Sequence, residues 1–210
     1  MKFIKYLTEA VKFEEMVSAI EIDCKPFIND WKKLNTSKWL MSGRKGNSTF
    51  EKQSVRTDRL PKDTPIEIHE MVDDWFYKKF GVRSRSNSVF VTFNPNMTYR
   101  YGNLHLIFPI GQYKAISSKK VEDLYDIVET SINDNMGKDF NMRIWDDDVE
   151  EYDKIKRKNT KDKILKMLDS GKYTDKLTFH NNEIMLSCKE YYIIDKEYNG
   201  KLLEHFGYVG

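Results

Sequence analysis

Arg44, Thr92 and Glu183 stand at the ends or starts of three short β-prone segments that lie far apart in the chain. Each residue type has a definite chemical use. A guanidinium offers a phosphate two charge-assisted hydrogen bonds in a fixed fork, which suits Arg44. A carboxylate such as Glu183 can hold a sugar hydroxyl and stabilise the cation that develops as a glycosidic bond breaks. Thr92, from a neighbouring strand, can orient that carboxylate. Tyr99 and Tyr101 present ring faces on which a flat heterocycle can stack. Each residue also has an ordinary structural reading: Arg44 as a solvated loop arginine, Glu183 as an exposed strand start, Thr92 as simple β-propensity, and the tyrosines as packing.

The elements that must position these residues follow from periodicity. Leu7, Ala10, Phe13, Val17 and Ile20 recur at helical steps and predict a helix over 3–20. Pro26 breaks this region, and a second short helix is expected over 26–34. Lys38–Ser42 is expected to be a short strand ending at Gly43. Residues 44–63 are polar and read as a long loop, and a loop of that length is more often functional than idle. Thr64-Pro65-Ile66-Glu67 is the pattern of a capping box opening a helix, with Ile68, Val72, Trp75 and Phe76 on its apolar face and Gly81 at its end. Strands are expected over Ser88–Phe93 and Leu104–Phe108, the second stopped by Pro109 and Gly111. One or two helical turns over Pro95–Tyr101 lie between them. Later helices are marked by Val121, Leu124, Tyr125, Val128 and Ile132, and by Ile164, Leu165 and Leu168 ahead of Gly171. Two strands, Glu183–Ser187 and Tyr191–Asp195, follow. Helices come first, then strands interrupted by helices, which favours α+β over a regular alternation.

Composition narrows the class. The chain has 210 residues, 40% of them hydrophobic and 13% aromatic, so it can build a sizeable core. No apolar run reaches the length of a membrane helix, and MKFIKYLTEAVKFEE has no uninterrupted apolar stretch of a secretory leader, so a cytoplasmic protein is expected. Cys24 and Cys188 are distant and read as free thiols; neither they nor His69, His105, His180 and His205 have metal-ligand spacing, and no metal is expected. The acids at 146–151 read as a solvated helix start. Net charge is +2, but Lys38, Arg44, Lys45, Lys52, Arg56 and Arg59 form a basic stretch over 38–59 suited to phosphates.

Four segments, in their order, resemble the ADP-ribosyltransferase superfamily in its arginine-serine-glutamate branch. They are MSGRKG at 41–46, SVFVTFNP at 88–95, YRYGNLHLIFPIG at 99–111 and NNEIMLSCKEYYIID at 181–195. In that branch a first strand ends in arginine and a second carries Phe-x-Ser-Thr-Ser. A short helix and a strand closing on a Pro-Gly-like turn follow, and a late glutamate opens a strand. This chain departs in two places. Phe90-Val91-Thr92-Phe93-Asn94 replaces the Ser-Thr-Ser motif, with Thr92 alone matching, and Asn181 stands where transferases to proteins or DNA commonly have Glu or Gln. The resemblance implies a split mixed or antiparallel sheet in one domain over 1–210, with a helical segment over 1–37 and a helical insertion near 118–170. It implies transfer of ADP-ribose from NAD to a protein or nucleic-acid acceptor, or NAD hydrolysis. Glu183 and Thr92 would be catalytic, and Arg44, Ser88, Tyr99 and Tyr101 would bind NAD. Two alternatives stand: a non-catalytic binding module on the same fold, and a phosphate- or nucleic-acid-binding protein using the basic loop 38–59. MKFIKYLTEA also resembles the short openings of tailed-bacteriophage proteins, which would place the chain in a bacterial cytoplasm or a virion.

Overall fold

Seven helices and seven strands make up the computed structural model, which describes residues 2–46, 48–57, 59, 61, 64–137, 145 and 151–207. Helices α1 (Lys2–Asp23) and α2 (Lys25–Lys33) come first, followed by strands β1 (Met41–Arg44) and β2 (Phe50–Ser54). Helix α3 (Ile66–Phe80) and strand β3 (Val89–Val91) lead into α4 (Pro95–Thr98) and a 3-10 turn over Tyr99–Tyr101. Strands β4 (Asn103–Ile110) and β5 (Lys114–Ser117) precede α5 (Leu124–Met136) and α6 (Glu151–Ser170). Strands β6 (Ile184–Ser187) and β7 (Glu190–Asp195) and helix α7 (Asn199–His205) follow. The acidic run 146–150 lies outside the described residues, as do the side chains of Leu7 and Ala10. Among the described residues no helix is long and apolar enough to cross a membrane.

The protein is α+β. One sheet has the order β1-β4-β7-β2 and the other β3-β6-β5, and every strand pairing in both is antiparallel. The two sheets meet at an antiparallel bridge between Met41 and Thr92, where each backbone N–H donates to the other's carbonyl at 2.9 Å. Residues alternate faces along a strand. Val89, Val91 and Leu186 therefore join one core with α1, α2, β4 and β7, while Met185 and Ile116 join a second with α3, α5 and α6. The first core is built on aromatic rings: Trp31 stacks on Trp39 at 3.8 Å, and Phe27, Phe108 and Phe206 surround Trp39.

Four expectations are corrected. The first strand runs to Arg44 rather than ending before Gly43, because Ser42, Gly43 and Arg44 pair with His105, Leu104 and Asn103. The stretch 44–63 is not all loop: β2 lies within it, paired along its length with β7. Its polar composition hid it, because β2 is an edge strand whose residues stay largely exposed. Pro109 does not stop β4. It pairs with Tyr191, and β1 reaches only Leu106, so β4 is locally an edge where a missing N–H leaves no donor gap. The capping box does not form. Pro65 is the N-cap, Thr64 caps nothing, and the Glu67 carboxylate turns instead to Trp145 Nε1 at 3.0 Å and to Lys161 of α6. Gly81 closes α3 in the left-handed conformation, as its position suggested. Strand β5 and helix α7 carry no clear signal in the sequence and are new here.

Candidate functional site

A cavity of about 740 Å³ opens beside the split between the sheets. Its walls include Arg44 at the end of β1, Thr92 just past β3, Tyr101 of the 3-10 turn and Glu183 just ahead of β6. Arg56, Arg59, Thr64, Arg85 and Asp123 line it as well, with Val89, Phe90, Val91 and Leu124 as an apolar wall. Ligand sites commonly have this size and this mixture of apolar wall and few convergent polar groups. Of the six residues singled out from sequence, four meet here. Ser88 and Tyr99 do not line the cavity. Ser88 is buried with an unpartnered hydroxyl, while Tyr99 is 60% exposed.

Arg44 is held on two sides. Its Nη1 donates to Gln53 Oε1 at 2.8 Å, its Nη2 donates to the Tyr191 hydroxyl at 2.5 Å, and its guanidinium lies over the Tyr191 ring at 5.0 Å. Gln53 belongs to β2, so the missed strand is what anchors this arginine. The backbone on either side is crowded. Gly43 packs so closely on α4 that a Cβ would sit 1.9 Å from the Thr98 carbonyl oxygen.

Thr92 acts through structure. Its hydroxyl donates to the Asn181 carbonyl at 2.9 Å and accepts from the Asn94 N–H at 3.0 Å. The first bond ties the segment that enters Glu183 to the end of β3. Replacing Thr92 with the near-isosteric Val leaves both backbone groups unpaired. Unfolding by urea should show a loss of about 0.5–1.5 kcal/mol, the usual net worth of a hydrogen bond at a part-buried place; an unchanged midpoint would deny the tie.

Glu183 has the most perturbed environment of the site. Its N–H donates to the Glu122 carbonyl at 2.8 Å, and its carboxylate accepts from the Leu124 N–H at the start of α5. Burial and the nearby Asp123 push its pKa up to about 8, against the pull of Arg85, that N–H and Arg59. At neutral pH the free protein therefore holds Glu183 mostly as the neutral acid. A titratable group displaced so far, facing a cavity, is a mark of functional sites.

Comparison with protein-family models, with curated proteins and with solved structures finds no match to this chain. The site must therefore be read from its own chemistry.

Several lining residues escaped the sequence reading. Arg56 and Arg59 were visible only as part of a basic stretch, and Arg85 as one more arginine. Asp123 carried a usable signal. An Asp directly before an apolar helix start is an N-cap, and here its carboxylate accepts from the Tyr125 N–H at 2.8 Å. His105 and His180 are held by hydrogen bonds to nearby groups. His105 Nδ1 donates to the Asn103 carbonyl at 2.9 Å. His180 accepts from the Asn182 N–H at 3.2 Å and bonds the Ser117 hydroxyl at 2.9 Å, bracing the turn before Glu183.

Proposed function

We propose that the chain binds NAD in this cavity and cleaves its nicotinamide–ribose bond, passing ADP-ribose to a macromolecular acceptor or to water. The observation that carries the reading is the meeting of Arg44, Thr92, Tyr101 and Glu183, from four separate elements, on one cavity. Their sequence order suggested an ADP-ribosyltransferase, and the Met41–Thr92 bridge and the Thr92–Asn181 hydrogen bond bring the segments together as that reading requires. The two antiparallel sheets, bridged at Met41 and Thr92, support the split-sheet architecture that the resemblance implies.

In the proposed reaction the C1′–N bond breaks and its electron pair leaves with neutral nicotinamide. The ribose carries the resulting cation until an acceptor hydroxyl, amine or water attacks C1′ and loses its proton. Ionised Glu183 holds the ribose 2′-hydroxyl and stabilises that cation. Thr92 is a positioning residue, through Asn181. The arginines neutralise the pyrophosphate. Tyr101, 64% exposed at the cavity's edge, offers a ring face to the nicotinamide.

One observation favours a second reading, a binding module without turnover: Thr92-Phe93-Asn94 and Asn181 stand where the resembled family carries Ser-Thr-Ser and a Glu or Gln. Titration calorimetry of NAD into the Glu183→Gln variant tests binding apart from chemistry. A saturable signal with a Kd of about 1 μM–1 mM, competed by ADP-ribose, is expected. No heat at millimolar NAD would overturn both readings of the cavity as an NAD site.

A further inference from the structure

Arg44 is already engaged, by Gln53 and by Tyr191. Those two hydrogen bonds are what set it apart from two other arginines on the same cavity, since Arg44 is likewise absent from the ion pairs among the described residues and its Nε is buried without a hydrogen-bond partner. The ion pairs among the described residues leave out both Arg59 and Arg85. Arg59 lies over the Phe90 ring at 4.7 Å. The Nε of Arg85 is buried without a hydrogen-bond partner. Burial destabilises both charges, and Arg59 is further opposed by Arg56 and Arg44. Arg59, desolvated beside two like charges, is unfavourable until an anion joins it, whereas the desolvated Arg85 is partly offset by Glu183, Asp73 and Asp123.

The segment that carries Arg85 is held by an unusual arrangement. Asp73 of α3 is only 1% exposed. One carboxylate oxygen accepts from the Arg85 N–H at 2.7 Å, and the other accepts from the Ser86 N–H at 3.1 Å and from the Ser86 hydroxyl. His69, also buried, bonds the same hydroxyl at 2.9 Å, and its Nε2 lies 3.6 Å from Asp73. Asp73 thus spends its hydrogen bonds on the backbone and on Ser86, leaving the Arg85 guanidinium unclaimed. A carboxylate paired with the guanidinium would have stabilised the free protein and blocked an anion.

We propose that Arg59 and Arg85, rather than Arg44, form a phosphoanion subsite in this cavity, and that buried Asp73 is the positioning residue that presents Arg85 to it. The ligand class is a pyrophosphate-bearing nucleotide; only the identification of that nucleotide as NAD rests on the function proposed above. The charged and titratable groups around the subsite are Glu183 and Asp123, Arg56, Arg44 and Tyr191 near Arg59, and Asp73 and Tyr173 beside Arg85. Work at pH 7, below the range in which Glu183 ionises, keeps its charge from opposing the anion.

The test is calorimetric titration of inorganic pyrophosphate into the full chain at pH 7. Arg85→Gln and Arg59→Gln should each weaken binding by at least about tenfold, and Arg44→Gln by under about threefold. Should Arg85→Gln fail to fold, Arg85→Lys keeps the charge, loses the fork, and should bind at least about threefold more weakly. Asp73→Asn should weaken binding in the wild-type background and add nothing in the Arg85→Gln background, a coupling that general destabilisation would not produce. No pyrophosphate binding, a larger effect from Arg44→Gln, or additive Asp73 and Arg85 effects would overturn the subsite. Arginine-dependent pyrophosphate binding without NAD cleavage would keep the subsite and remove the enzymatic reading. NAD cleavage indifferent to Arg59 and Arg85 would do the reverse.

Discussion

The Glu183→Gln variant should melt roughly 10–20 °C above the wild type at pH 9 and show no such advantage at pH 4, a difference on the order of 5 kcal/mol at the higher pH. Glu183 holds its proton more tightly in the folded protein, where its pKa is about 8, than in an unfolded chain, where it is near 4.5. The stability this group contributes is present below pH 4.5 and is lost as pH rises through 8. Glutamine keeps an oxygen that can accept from the Leu124 N–H and never ionises, so it escapes the loss. Thermal melts of both proteins from pH 4 to 9 measure the effect. Parallel curves would mean that Glu183 sits in a wetter and less acid-crowded place than its surroundings indicate.

The same ionisation should govern the proposed reaction, with opposite sign. The carboxylate form is the one that stabilises a ribosyl cation, so kcat/KM for nicotinamide release should rise with pH through about 8, the value in the free enzyme. Bound NAD brings the nicotinamide cation, which favours the carboxylate, so the rise in kcat should fall at lower pH than the rise in kcat/KM. A side chain that weakens the fold where it is active is the usual bargain at a working site.

Gly102→Ala is the second large effect. Gly102 has φ +132°, and a Cβ there would lie 2.4 Å from the Arg44 carbonyl oxygen and 3.0 Å from the Lys45 nitrogen. Neither atom can yield without moving the end of β1. Left-handed strain and the overlap together should lower stability by about 2–4 kcal/mol in urea unfolding. The Arg44 side chain should also be drawn away from Gln53 and Tyr191, but because the phosphoanion subsite is assigned to Arg59 and Arg85, NAD affinity of the folded variant should change by under about threefold. A variant with wild-type stability would show that the turn after Tyr101 stands further from β1 than the fold requires.

How much of this was legible beforehand depends on what each residue's neighbours were. The α+β class, the helices α1 to α3, α5 and α6, and the strands β3, β4, β6 and β7 were visible because apolar periodicity or β-prone runs mark them directly. Strand β2 was invisible because FEKQS owes its conformation to pairing with β7, not to its own composition. The Thr64–Glu67 pattern misled because Lys161 and the Trp145 indole outbid a local cap for the Glu67 carboxylate. The same logic holds at the cavity. Arg44, Thr92, Tyr101 and Glu183 could be picked by type and order. Asp123 could have been picked as the N-cap of α5, but its place on the cavity, like those of Arg59 and Arg85, arises from contacts between segments far apart in the chain, such as the hold of Asp73 on α3 over Arg85.

The most direct measurement is nicotinamide release from NAD at pH 9 by the purified chain, alone and with cell lysate, beside Glu183→Gln. The account predicts release by the wild type and a rate at least about 100-fold lower for the variant, the scale of losing one key electrostatic stabiliser. Equal rates in the two proteins, or no release by the wild type under either condition, would contradict it.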